Sequence, residues 1–422
     1  MTNTITRREL VRVAGVSGGL GVLGVSHSRL ASDASAQPAA GSPALVGIEP
    51  STIRRRGVGF RGYDPARAFI GYTLVAPNAQ PSSANAQKPY GPISQPYGKT
   101  IYLIDMSGNV VHRWEMPYSP GLTAYLTDRG TLFLNGHVPS SSNLGQKYYR
   151  GGAAMEANWN GRVLWEVNHP DHHHDGIRLR NGNVLLICMK PLQAEIVRKV
   201  RGGRPGSEYD NGKMDSDYLV EMATDGKVVW EWRSWEHLDP EKDGITAVED
   251  DRDVWPVANS VSEMPDGNIL VSFRTNSTVV MINRQTGAIY WKLGAPPLSG
   301  QHAPYILSNG NMLLFDNGPH RLDHTFPYSR VLEINPATKE IVWKYQDTPE
   351  WSFYSPRISN AQRLPNGNTL ICEGFFGRLF EVTREGDTVW EYVNPYFVGP
   401  LNRVARAFRY SDAEIARARA AT

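Results

Sequence analysis

One unit recurs six times along this chain: a Gly/Asn turn, an apolar strand, a further strand, a second Gly turn and a Trp. Gly130-Thr-Leu-Phe-Leu, Gly182-Asn-Val-Leu-Leu, Gly267-Asn-Ile-Leu-Val, Gly310-Asn-Met-Leu-Leu and Gly367-Asn-Thr-Leu-Ile form the first halves. The second halves are Gly161-Arg-Val-Leu-Trp165, Gly226-Lys-Val-Val-Trp230, Gly287-Ala-Ile-Tyr-Trp291, Lys339-Glu-Ile-Val-Trp343 and Gly386-Asp-Thr-Val-Trp390. A looser copy joins Gly71-Tyr-Thr-Leu-Val to Gly108-Asn-Val-Val and Trp114. Short strands at this period, punctuated by Gly/Asn turns, specify a β-propeller in which each repeat is one four-stranded blade. Six copies predict an all-β, six-bladed β-propeller. The Asn-Gly and Asp-Gly pairs supply the positive φ of tight hairpins. Trp114 and Trp232 stand two positions beyond the Trp230 register, which keeps them on the same sheet face. These Trp residues therefore read as packing between blades. Gly71–Val75 is expected to close the ring against the last blade near Leu379–Trp390, so that strands from both ends of the chain share one blade.

The ends carry different signals. Thr6-Arg7-Arg8-Glu9-Leu10-Val11, a Gly-rich apolar stretch from Val13 to Val25, and Ala34-Ser35-Ala36 together form a twin-arginine export signal over residues 1–36. That stretch is too short and Gly-rich to span a membrane. The expected address is periplasmic or secreted, with the twin-arginine export machinery as a partner. Residues 37–65 read as an Ala/Pro/Ser-rich linker or strap, 66–400 as the propeller, and 401–422 as a tail with a short helix capped at Ser411. With 44 basic against 42 acidic residues, the net charge of +2 gives no basic face for nucleic acid. Two cysteines, Cys188 and Cys372, fall in different blades and read as buried free thiols, although spacing alone leaves a disulfide open. No cofactor motif is present: the neighbouring cysteine pair and eightfold Trp repeat of a quinone-dependent propeller dehydrogenase are both missing. Oligomeric state is not legible.

In a propeller the innermost strand of each blade faces the central channel. Counting eight residues back from each turn glycine gives Leu122, His174, Asn259, His302 and Ser359. Two histidines, an asparagine and a serine at equivalent positions exceed what packing needs. His172, His173, Asp175 and Gln301 lie beside them. Arg274 ends an apolar strand seven residues past its turn glycine. Asn317, in Phe315-Asp-Asn-Gly318, occupies the matching position one blade on, and Arg357 precedes the last blade. Tyr305, Trp255, Phe353, Tyr354 and Phe375 near the same strand ends are candidates to flank an aromatic substrate. The long connections 78–98, 139–150, 198–215 and 236–254 are expected to cover the channel mouth.

Trp255-Pro-Val-Ala-Asn-Ser260, Ser272-Phe-Arg274, Thr286-Gly-Ala-Ile-Tyr-Trp-Lys-Leu-Gly294, Gln301-His302 and Phe315-Asp-Asn-Gly318 together resemble the bacterial aryl-sulfate sulfotransferase family over roughly residues 95–395. The resemblance implies an exported six-bladed propeller that moves a sulfuryl group from an aryl sulfate donor to a phenolic acceptor without a nucleotide. It implies His302 as nucleophile, His174 as assisting histidine and Arg274 as holder of the sulfate oxygens. Asn259, His173, Asn317, Arg357 and Tyr305 are the candidate substrate contacts. Where the family commonly places another histidine, two residues before the Asn-Ser pair, this chain has Val257.

The residue types suit that chemistry independently. A guanidinium meets sulfate oxygens with two parallel donors. A neutral imidazole can attack sulfur and split the transfer into two displacements. Three other readings use the same residues: a polysaccharide lyase or hydrolase with His/Tyr acid–base chemistry, a metal site at His172–Asp175, and a non-catalytic binding propeller. Consecutive histidines on a strand alternate faces, which disfavours the metal.

Overall fold

Six antiparallel sheets hold the strands of the computed structural model, which describes residues 57–78, 98–138, 151–210, 212–321, 324–397 and 401–421. The expected export signal and the connections 79–97 and 139–150 lie outside the described residues. Blades 2 to 5 are consecutive in sequence, each running from the channel outward. Their inner strands are Ser119–Leu126, His172–Arg178, Ala258–Glu263 and His302–Ile306. Blade 6 begins at Asn360–Arg363 and takes Gly59–Tyr63 as a fifth, outermost strand on Thr388–Val393. Blade 1 closes the ring: Val404–Tyr410 is its inner strand, followed outward by Tyr72–Pro77, Thr100–Ile104 and Val110–Glu115. Inner strands touch their neighbours all the way round, blade 6 meeting blade 1 and blade 1 meeting blade 2.

The six-bladed expectation holds, and so does the mixing of chain ends. The closing partner differs: Tyr72–Pro77 pairs with Val404–Tyr410, not with the 379–390 region. That inner strand lies in the stretch expected as a tail, and the outermost strand of blade 6 lies in the stretch expected as a linker or strap. The propeller's strands thus extend past both ends of the 66–400 span. The reason is geometric. The closing strand has no turn glycine after it in sequence, because its hairpin partner is more than three hundred residues earlier. Ser411 then caps helix Asp412–Ala420 with Glu414 in a reciprocal box.

The Trp residues latch blade to blade. Trp114, Trp232, Trp291, Trp343 and Trp390 each donate Nε1–H to a turn carbonyl of the next blade: Asn158, Gly287, Pro336, Arg384 and Met106. The last of these crosses the closure. In blade 3 the latch is Trp232 rather than Trp230, as a two-residue shift on one face allows. Both cysteines are buried and free, in different blades; Cys372 Sγ contacts the Val404 carbonyl at 3.3 Å.

Candidate functional site at the channel mouth

Every inner strand departs from regular pairing where it starts, at the end of the channel opposite the Gly turns. The ladders of blades 1 to 5 skip register there, and His174, Ala303, Ile358 and Ser359 adopt positive φ. Such bulges re-aim side chains, which is why they gather at functional rims. Pairing at the other strand ends fixes the equivalence of the six blades. Four residues before Leu126, Arg178, Glu263, Ile306, Arg363 and Tyr410 stand Leu122, His174, Asn259, His302, Ser359 and Arg406. The sixth member, Arg406, was missed in the sequence because no turn glycine follows it to count from.

His302 is held in one orientation. Its Nδ1 lies 2.7 Å from Asn317 Oδ1 and 3.1 Å from the Gly300 carbonyl. Asn317 spends its Nδ2 donors on the Ser355 and Ile358 carbonyls, so its oxygen must face His302 as acceptor. The proton therefore sits on Nδ1, and Nε2 carries the lone pair, capped at 3.2 Å by the Ile358 N–H. Burial, opposed by the Asn317 bond and helped by the charges of Arg274 and Arg406, pushes the imidazole down to about 3. His302 is neutral at any ordinary pH.

His174 adjoins it. Burial and the nearby His173, His302, Arg406 and Arg274 hold His174 well below the usual histidine range. Its Nδ1 is 2.7 Å from His173 Nδ1, and His173 Nε2 is 3.1 Å from Asp217 Oδ1. A proton on His173 beside Asp217 makes His174 Nδ1 the donor and leaves His174 Nε2 as a base. His173 is thus a buttress behind His174, fully buried. His172 points elsewhere, accepting from Gly152 N–H at 3.1 Å.

Arg274 and Arg406 supply positive charge from two sides. Arg274 Nη1 binds Asp250 at 3.0 Å, and His320 Nε2 approaches the same carboxylate at 2.9 Å. Asp250 comes from the connection after blade 3. That connection zips onto the one between Pro191 and Asp215 through the bridges Gly202↔Ile245 and Arg204↔Asp251. Arg252 ties the pair to the Val200 and Gly202 carbonyls. The expected mouth loops 198–215 and 236–254 therefore do reach the site. Arg406 Nη2 lies 2.8 Å from Asp175 and 3.2 Å from the Asn259 carbonyl.

The motif residues between these groups stitch blade 4 to blade 5. Gln301 Nε2 donates to Ser272 Oγ and to the Phe273 and Thr278 carbonyls, while Asn259 Nδ2 donates to the Gln301 carbonyl at 2.7 Å. Ser260 Oγ receives Ala303 N–H at 2.9 Å. In Phe315-Asp-Asn-Gly318, Asp316 binds Arg330 and Arg321. Gly318 has φ 85°, and a Cβ there would meet the Tyr328 carbonyl at 1.9 Å. The spacing of these motifs is the spacing that sets His302 across from Arg274.

The expected substrate contacts separate into groups. Asn259 and Asn317 border the histidines but spend their amides on carbonyls. Arg357 is exposed on the rim. Tyr305 stands three residues down the inner strand, its hydroxyl accepting Arg363 N–H at 2.8 Å between blades 5 and 6. Trp255 and Phe353 are fully buried core residues, whereas Tyr354 and Phe375 remain at the mouth. Val257 is packed with Met189 and Val254, and its carbonyl receives Arg274 N–H at 2.8 Å. Among the described residues no cluster of metal-ligating side chains is formed, and no helix is long and apolar enough to cross a membrane.

Residues 141–395 match the family described as arylsulfotransferase (ASST). Arylsulfate sulfotransferase AssT of Escherichia coli O6:H1 strain CFT073 is 23% identical over 372 residues, covering 67% of this chain. The match spans 58% of that relative's length. Two solved structures are also similar. A Bacteroides caccae protein of unknown function has TM-score 0.47 and 14% identity, covering 81% of this chain and 99% of its own. Selenomethionine-substituted virginiamycin B lyase from Staphylococcus aureus has TM-score 0.38 and 11% identity, covering 66% and 71%.

Proposed function

The chain belongs to the arylsulfotransferase family, and from that premise we propose that it transfers a sulfuryl group from an aryl sulfate ester to a phenol through a sulfated His302. The observation that carries this reading is the fixed orientation of His302, neutral, with Nε2 as the lone-pair nitrogen and the charges of Arg274 and Arg406 acting on the imidazole. In the first displacement Nε2 attacks sulfur, the S–O(aryl) bond breaks, and the electron pair leaves on the phenolate. Arg274 and Arg406 hold the equatorial oxygens, where charge accumulates. The Ile358 N–H gives up the lone pair and turns to a sulfuryl oxygen.

In the second displacement the acceptor phenol attacks the same sulfur, His174 Nε2 takes the phenolic proton, and the S–N bond returns its pair to His302. Held well below the usual histidine range, His174 then passes that proton to solvent, and the donor's phenolate leaves as the anion, so no second histidine is called on. That economy answers the Val257 departure. His173 and Asp217 position His174 and touch no substrate. We further propose, on the Arg7-Arg8 leader alone, that the reaction runs outside the cytoplasm; a leader–reporter fusion exported by a twin-arginine-competent host and retained by a deficient one tests it.

The central test is mass spectrometry after brief exposure to 4-nitrophenyl sulfate without acceptor. The peptide bearing His302 gains the mass of one SO3 group, acid-labile, and loses it when phenol is added. An adduct on His174 would exchange the two roles, and no adduct with full turnover would reject the covalent route.

A further inference from the structure

Between blades 6 and 1 the rim carries a second cationic cluster. Arg403 precedes the closing strand, and its guanidinium lies 4.3 Å from the Phe375 ring centroid. Phe375 N–H donates to Ser355 Oγ at 3.1 Å, that hydroxyl donates to the Arg357 carbonyl at 3.0 Å, and Ser359 Oγ donates to it at 2.9 Å. Arg403, Phe375 and Arg357 are thereby tied to the ring position of Ser359.

Arg403 Nε is buried with no hydrogen-bond partner, and among the described residues no carboxylate pairs with Arg403 or Arg357. Burial and the Arg357 charge hold the Arg403 guanidinium below its ordinary range. The contrast with Arg378 and Arg409 is direct: both are fully buried, and each is paired with a glutamate. Leaving a partly buried cation unpaired is costly unless an anion arrives. Tyr354, half-buried, lies within electrostatic reach of both Arg274 and Arg357, and of Glu249.

We infer that Arg403 and Arg357 form a second anion subsite, and that its occupant is the carboxylate of an aromatic substrate whose phenolic oxygen reaches His302, with Tyr354 flanking the ring. This rests on the sulfuryl-transfer reading. The carboxylate takes paired N–H donors from the guanidiniums, and no bond is made or broken there.

The test compares 4-hydroxyphenylacetate with its methyl ester as acceptors for 4-nitrophenyl sulfate, together with calorimetric binding of 4-hydroxyphenylacetate without donor. The wild-type kcat/KM favours the carboxylate by about tenfold or more, the size of one charged hydrogen-bond pair. Arg403→Gln removes that preference and weakens carboxylate binding by a similar factor, while the ester is turned over as before. Arg403→Lys keeps part of both. Equal use of the two acceptors by the wild type, or carboxylate binding indifferent to Arg403→Gln, overturns the subsite. Carboxylate binding that depends on Arg403, with no transfer from any donor, would sink the transferase reading and leave the subsite standing.

Discussion

The two ends of each blade obey opposite rules. At the turn end blades 3, 5 and 6 share one arrangement. Glu221 accepts from Asn181 and Asn183, Glu333 from Asn309 and Asn311, and Glu381 from Asn368. An arginine from the neighbouring blade then neutralises the carboxylate: Arg284 on Glu221, Arg363 on Glu333 at 2.8 Å, Arg409 on Glu381 at 3.0 Å. The Asn-Gly-Asn turn thus does more than allow positive φ; its asparagines reach a buried glutamate two strands away. At the mouth the blades diverge. Leu122, His174, Asn259, His302, Ser359 and Arg406 share one register, and only His174 and His302 share a residue type. Ring closure needs the same contact at successive interfaces, so the turn end repeats. The proposed transfer needs different partners on different sides of one atom, which a mouth that does not repeat can supply.

That contrast can be broken at either end. The largest expected effect is His302→Ala, which lowers kcat for aryl sulfate transfer by about 10⁴-fold or more, as loss of a nucleophile does, in protein that still folds. Arg406→Gln comes next: removing one donor to developing charge costs on the order of 10²-fold in kcat. Arg274→Lys loses much of the rate as well, because a lysine keeps the charge but not the paired donors. If Arg406→Gln turns over like the wild type, the closing strand serves only the fold.

Glu333→Ala should do the reverse. Breaking a buried ion pair costs about 3–5 kcal/mol of stability, read as a lower denaturant midpoint, while turnover per folded molecule stays at the wild-type level. A large loss of kcat in folded protein would show that the two ends are coupled. Asp217→Asn is the gentlest test. With His174 less well positioned, the rate falls about 10- to 100-fold by analogy with other oriented imidazoles. The loss should fall on the acceptor half-reaction, leaving the burst of nitrophenol from the first displacement intact.

Acid separates the two ends by pH. His302 and His172 titrate near 3 when folded, against about 6.5 in an unfolded chain. The unfolded state therefore binds more protons between those values. Their contribution is complete above roughly pH 6.5 and is lost as pH falls toward 3, by up to a few kcal/mol each. Glu333 is held below its ordinary range: burial opposes this, and Asn311, Asn309, Arg363 and Arg384 outweigh it. Its contribution is lost only as pH falls below the ordinary carboxylate value. Urea midpoints across pH should lose slope throughout pH 3 to 6.5 in His302→Asn and only below about pH 4.5 in Glu333→Gln, so the interval between the two onsets separates them; a slope change there in Glu333→Gln would erase the distinction.

Sequence periodicity alone determined the six blades, the inter-blade Trp contacts and four of the five polar mouth residues in register. These are local facts, set by turn chemistry and strand alternation within each repeat. Only the tertiary structure decided that Arg406 completes the ring, that Asp250 reaches from a distant connection to Arg274, and that His173 stands behind His174 rather than beside the substrate. The reason is closure. Blade 1 joins residues from opposite ends of the chain, so its register cannot be counted along the sequence. The bulges that rotate each mouth-side side chain depend on the neighbouring blade, which a repeat read in isolation does not contain.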